Sequence, residues 1–104
     1  MTLPQLQAQD DGRLHLSGEL SMATVPALLA EQKPFALVAD ADPAATLIID
    51  LDGVTRADSA GLALLIQWQR EAQARQRGIR FQHIPAQMLA MARLSGVDQL
   101  LALN

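Results

Sequence analysis

"TLIIDLDGVTRADSAGLALL", Thr46 to Leu65, decides the fold. Thr46 to Leu51 is a β-branched, apolar run bounded by turn residues, the pattern of a central strand covered on both sides or paired by two neighbours. Asp52-Gly53 reads as a turn, Val54 as a link, and a long helix follows from about Ala60 to Arg77. Gly78 marks its end, and Arg70, Arg75 and Arg77 lie near its negative dipole end. A strand that hands the chain to a helix of this length predicts an α/β unit.

The flanking segments extend that unit. Leu3 to Gln7 and Arg13 to Ser17 surround the turn-forming "AQDDG". In "RLHLS", Leu14 and Leu16 share one face while Arg13, His15 and Ser17 share the other, so the two runs predict a β-hairpin. Gly18 is expected to break the second strand. Ser21 or Thr24 then caps a helix whose Val25, Leu28, Leu29 and Gln32 fall on one side, with Pro26 tolerated in its first turn. Pro34 stops or kinks that helix, and Phe35, Leu37 and Val38 predict a second short helical piece before a loop over Asp40 to Ala45. Downstream, "IRFQH" alternates as a strand. Pro85 opens a helix through "AQMLAMARL", packed through Met88, Leu89, Met91, Ala92 and Leu94 and stopped by Gly96. The tail "VDQLLALN" has room for one small element. The expected architecture is α/β: a small mixed β-sheet of about four strands with an N-terminal hairpin, right-handed crossovers, and helices packed largely on one face.

The chain has 104 residues, near the modal domain size, and reads as a single domain over 1–104 without internal repeats. Half of it is hydrophobic but only Phe35, Trp68 and Phe81 are aromatic, so aliphatic side chains must build the core. A net charge of −3 provides no basic field for a nucleic-acid backbone or an anionic membrane surface. With no cysteine, disulfides and thiolate metal sites are excluded, and a reducing compartment is permitted. The N-terminus has neither the basic start nor the apolar run of a signal peptide, and no stretch approaches the ~20 apolar residues of a membrane span. A soluble, cytoplasmic protein is the expectation, with membrane association only through a partner.

Catalytic chemistry finds no constellation. His15 and His83 fall on predicted strands without an acid or nucleophile at a recognisable spacing. There is no His-x-x-x-His, no calcium-type carboxylate loop and no glycine-rich phosphate cradle. The arginines of "REAQARQRGIR" read as a solvated amphipathic face and the methionines of the last helix as core filling. Asp58-Ser59-Ala60-Gly61 is what remains. Asp58 or Ser59 suits a helix cap, and Gly61 permits close packing in the first turn. Ser59 also stands where a helix dipole and nearby N–H groups favour an added phosphate, while Asp58 beside it opposes one.

With those segments in view, the order "LSGEL", "LIIDLDGV", "ADSAGLALL" and "SGVDQLL" resembles the STAS domain over nearly the whole chain. STAS domains occur in anti-sigma factor antagonists and in the tails of sulfate transporters, and their small mixed sheet with helices on one side agrees with the pattern above. Within the family, "GLALLIQWQREAQARQRG" and the short C-terminus look most like the MlaB-like group, the stand-alone STAS subunits of bacterial Mla phospholipid ABC transporters. That resemblance implies a non-catalytic subunit without metal or cofactor. It would bind and support the cytoplasmic ATPase of a complex that maintains outer-membrane lipid asymmetry, peripheral to the inner membrane through that partner. The resemblance places Ser59 at the family's phosphorylatable or interface hydroxyl, with Asp58 before it and Gly61 behind it; the docking surface expected on that basis is the start of the long helix around Asp58, Ser59, Ala60 and Gly61, with Leu62 and the preceding loop adding contact area. The alternative it implies is an anti-sigma factor antagonist whose Ser59 is phosphorylated by an anti-sigma factor kinase. Two departures stand out. The stretch from Gly18-Glu19-Leu20 to Ile49-Asp50-Leu51 is longer than usual in the group, and the chain ends where longer STAS domains add a strand and a helix.

Overall fold

Alternation along four segments builds one sheet. In the computed structural model, residues 3–9, 12–38, 42, 44–99 and 101 are described. The strands are β1 (Gln5–Ala8), β2 (Leu14–Leu20), β3 (Leu47–Ala57) and β4 (Ile79–Gln82), in spatial order β1-β2-β3-β4. β1 pairs antiparallel with β2, as the predicted hairpin requires, while β2–β3 and β3–β4 are parallel. Each parallel connection carries helix: α1 (Val25–Glu31) and α2 (Pro34–Leu37) between β2 and β3, and α3 (Ser59–Ala74) between β3 and β4. A final helix, α4 (Ala86–Leu94), follows β4. The loop expected over Asp40 to Ala45 and the "AQDDG" turn lie partly outside the described residues.

Leu6, Leu14, Leu16, Leu20, Leu47, Ile49, Leu51, Ile79 and Phe81 all point to one buried face. Over it α3 lays Gly61, Leu62, Leu64, Leu65, Trp68 and Ala72, and α4 adds Met88 and Ala92. Full burial of a leucine is worth about 1.5–3 kcal/mol, whereas the propensity differences between ordinary helix residues stay below about 0.7 kcal/mol. Packing on the sheet, more than propensity, therefore holds α3 in place. The mixed sheet and its layering are those expected from the sequence.

The expected turn at Asp52-Gly53 is instead the middle of β3, which runs for 11 residues. Between the pairs His15↔Asp50 and Glu19↔Arg56, β3 advances six residues while β2 advances four, with register shifts after His15 and after Gly18. One bulge would turn every later side chain to the wrong face, and a second restores the alternation. Ala57 accordingly returns to the core beside Leu20. An Asp-Gly pair suits a tight turn and a bulged strand alike, so composition alone does not distinguish them. Gly18, expected to break β2, is also within it. Its φ of +92° suits a bulge, and a Cβ there would lie 2.5 Å from the Leu3 carbonyl oxygen, so β2 continues to Leu20 only because this residue has no side chain.

The helix ends differ from expectation at α3. The helix stops at Ala74, and Gln76, at φ +54°, takes the left-handed position expected of Gly78. The Gln76 N–H donates to the Gln73 carbonyl at 3.0 Å and the Arg77 N–H to the Ala72 carbonyl at 2.9 Å, a complete Schellman motif. Gly78 lies against the Thr46 side chain, where a Cβ would meet the hydroxyl at 2.9 Å. At α4, Gly96 is the left-handed stop as expected, with the Val97 N–H on the Ala92 carbonyl at 3.0 Å. β4 ends at Gln82, so His83 lies beyond the strand at φ +56°.

Gly61 sets how close α3 comes to the sheet. A Cβ there would sit 3.0 Å from the Leu20 Cβ, 3.0 Å from the Met88 Cε and 3.3 Å from the Ala57 Cβ. Met88 can swing aside; Leu20 and Ala57, carried on paired strands, cannot. Gly61→Ala is expected to cost roughly 1–3 kcal/mol, read as a lowered midpoint at unchanged slope in urea unfolding.

Candidate functional site

The C-terminal ends of the parallel strands β2 and β3 deliver the Ser21–Thr24 turn and the start of α3 to one edge of the domain. The Asp58 N–H donates to the Leu20 carbonyl at 3.0 Å, so the last residues of the two strands remain joined there. Asp58, not Ser59, is the N-cap of α3. Its Oδ1 accepts from the Ala60 N–H at 2.8 Å, and its Oδ2 accepts from the Met22 N–H at 3.2 Å. One carboxylate thus satisfies an orphan helix donor and ties the β2–α1 turn to α3.

The turn is held from its other side as well. The Thr24 hydroxyl donates to the Glu19 carbonyl at 2.7 Å and accepts from the Ser21 N–H at 2.9 Å. The Ser21 hydroxyl donates to Glu19 Oε2 at 2.9 Å. Thr24 occupies the cap position of α1 as expected, yet its hydroxyl is spent on β2 and the turn, not on a helical N–H. The consequence is Met22: its backbone is fixed by Asp58 while its side chain stands 76% exposed.

The five residues expected at a docking site divide by burial. Ser59 is exposed at the first helical position, and among the described residues its hydroxyl has no hydrogen-bond partner. Asp58 and Ala60 are partly exposed. Gly61 and Leu62 are buried, Leu62 at 7%, so they shape the site from beneath. Sequence reasoning missed the other wall: an open apolar groove of about 430 Å³ between α1 and α3, lined by Met22, Val25, Pro26, Leu29, Ala60 and Ala63 among others. The Val25 and Leu29 positions were legible as one face of a helix, but nothing local in "ELSMAT" marks Met22 as exposed.

A second polar cluster lies on the sheet face opposite the helices. His83 Nδ1 and Asp50 Oδ1 are 2.7 Å apart, and His15 is the register partner of Asp50 on β2. Burial pushes the Asp50 carboxyl up, but the His83 hydrogen bond, the Asp52 N–H and the charges of His83 and His15 outweigh it and leave the group below its ordinary value of 3.8. His83 thus bonds this carboxylate while His15 faces it across the strand pair, although neither histidine has an acid at a recognisable motif spacing along the sequence. Among the described residues no group of three or more histidine, cysteine or carboxylate side chains is arranged to hold a metal. No helix of the described residues is long and apolar enough to cross a membrane.

The sheet is four-stranded and mixed, with a capped helix start and an exposed apolar groove between α1 and α3. The family model described as "Mlab, STAS domain" matches residues 5–102, and the chain belongs to the STAS-domain family. Among solved structures it is similar to an anti-sigma factor antagonist from Mycobacterium paratuberculosis, at 30% identity and a TM-score of 0.68, with 99% of this chain and 85% of that one covered. It is also similar in fold to the anti-sigma factor antagonist SpoIIAA in its unphosphorylated form, at 18% identity and a TM-score of 0.60, with 93% and 96% covered. No curated protein matches the sequence. STAS domains act through protein–protein contacts and are generally non-catalytic.

Two outcomes check the geometry. Asp58→Ala is expected to lose about 0.5–2 kcal/mol of stability, whereas Ser59→Ala stays within about 0.5 kcal/mol, both by chemical denaturation. For Asp50, a folded pKa below the unfolded one means a contribution fully present above the ordinary carboxylate range and lost as pH falls through the lowered folded value. The stability gap between the wild type and Asp50→Asn is therefore expected to be widest near neutral pH and to close on acidification. A gap that stays constant through the acid range would contradict it.

Proposed function

We propose that the start of α3 is a docking surface for the ATPase subunit of a phospholipid-transporting ABC complex that maintains outer-membrane lipid asymmetry. In this reading the chain is a non-catalytic cytoplasmic subunit, peripheral to the inner membrane through that partner. The observation that carries the surface is the exposed Ser59 hydroxyl, unclaimed by the fold and set between the fixed turn at Met22 and the α1–α3 groove. The description "Mlab" of the matching family model supports the transporter as the setting. Ser59 and Ala60, with Asp58 behind them, meet the partner; Gly61 and Leu62 keep α3 at the height that presents them.

A second reading rests on a different observation, the 30% identity to an anti-sigma factor antagonist. Here Ser59 is the phosphoacceptor of an anti-sigma factor kinase. A phosphate of nearly two negative charges beside Asp58 weakens the complex by like-charge repulsion.

Purified partners separate the two. Under the first reading Ser59→Ala leaves a partner group unmatched at a desolvated contact, a loss of about 1–3 kcal/mol, or roughly five- to 150-fold in Kd. Ser59→Glu places an unpaired charge there and is expected to weaken ATPase binding further, by isothermal titration calorimetry. ATPase binding by Ser59→Glu equal to that of the wild type would remove Ser59 from the interface. Under the second reading, incubation with the anti-sigma factor kinase and ATP adds one phosphate at Ser59, located by mass spectrometry; unmodified Ser59 with active kinase rejects it.

A further inference from the structure

At the far end of α3, on the order of 24 Å from Ser59 at about 1.5 Å per residue over 16 residues, the cationic side chains find a different use from the solvated face expected of them. The Schellman turn at Gln76 folds Arg75 and Arg77 back toward α2. There the Arg75 guanidinium lies 4.9 Å and that of Arg77 5.9 Å from the centre of the Phe35 ring. Phe35 is 6% exposed, so this ring is a fixed plate. Lys33, the only lysine of the chain, stands just before α2 and donates from Nζ to the Leu29 carbonyl at 2.8 Å. Lys33, Phe35, Ala36, Glu71, Ala74 and Arg75 line an open pocket of about 770 Å³.

We propose that this pocket binds a phosphate monoester. Lys33 and Arg75 line it and Arg77 lies over the same Phe35 ring, and among the described residues none of the three is ion-paired. Glu71 is the one carboxylate in the lining, and it lies 3.5 Å from the Gln67 amide. The lining itself carries one net positive charge, and Arg77 beside it over the Phe35 ring brings the neighbourhood to two, which favours a phosphate monoester of about −1.5 to −2 near neutral pH. The donors are partly arranged in advance. Stacking on Phe35 and the Arg77 Nε–H bond to the Ala45 carbonyl at 3.2 Å restrict the two guanidiniums, so less rotamer freedom is lost on binding. Lys33 retains two ammonium protons beyond the one held by Leu29. Phe35, Ala36 and Ala74 supply an apolar floor for the body of the ester. The same head group is presented by a soluble ester such as glycerol 3-phosphate and by phosphatidate in a membrane. This inference stands apart from the docking surface at Ser59 and does not depend on it.

The test uses the full chain. Glycerol 3-phosphate is titrated against the labelled protein while the Arg75 and Arg77 Nε–H resonances are followed by NMR. In parallel the protein is floated with phosphatidylcholine vesicles that contain or lack phosphatidate. Saturable shifts locate a soluble ester in the pocket, and flotation dependent on phosphatidate locates a lipid head group; either result is expected to weaken with salt. Lys33→Gln/Arg75→Gln, two exposed positions, is expected to bind roughly tenfold or more weakly, and Arg93→Gln on α4 to bind as the wild type does. Circular dichroism confirms that the double variant is folded. The proposal is overturned if neither probe binds, or if the folded double variant binds as tightly as the wild type.

Discussion

The close approach of α3 to the β2–β3 pair at Gly61 is the constraint on which the rest of the domain depends. With no side chain at that position, the helix settles against Leu20 and Ala57, and Leu64, Leu65 and Trp68 reach the sheet farther along. A helix lifted by even a methyl group would loosen contacts along its length, because protein interiors have no spare volume to redistribute. The same closeness places the first turn of α3 level with the ends of the parallel strands. A surface there becomes possible because the core beneath it is tight.

Asp58 converts that packing into a defined surface. A capping residue ordinarily serves one helix. Here the second carboxylate oxygen reaches the Met22 N–H, and the backbone N–H remains on Leu20, so β2, the turn after it and α3 meet at one residue. Ser59 is thereby left without a structural duty. An acid followed by a hydroxyl divides the labour: the first holds the helix, the second faces outward. The reverse assignment, with Ser59 as the cap, would leave no exposed hydroxyl to offer a partner or a kinase.

Much of this was legible along the chain because it is periodic. The alternation of Leu14 and Leu16, the run Leu47 to Leu51 and the punctuation by Pro85 and Gly96 each announce an element through local rules. Other features resisted because two structures share one composition. Asp52-Gly53 has the residues of a turn and serves as part of a bulged strand; only the pairing with β2, two residues out of step, distinguishes them. Gln76 adopts the left-handed position that Gly78 was expected to take, since the Schellman hydrogen bonds to Gln73 and Ala72 hold it there. The pair His83–Asp50 joins residues 33 apart in sequence, beyond any local spacing.

By itself the sequence determined the class of fold, the one-sided core and the identity of the motif Asp58-Ser59-Ala60-Gly61, because burial of apolar periodicity and helix capping are short-range requirements written in neighbouring residues. Only the tertiary structure decided how those four residues divide. Gly61 turns inward because strand Cβ atoms lie against it, Asp58 is held between two backbone amides from different elements, and Ser59 is the one left facing out. The exposure of Met22 and the gathering of Lys33, Arg75 and Arg77 around Phe35 were decided in the same way. Which side chains meet across the fold depends on register and on helix termini, and a shift of a single residue in either would have assembled a different surface from the same elements.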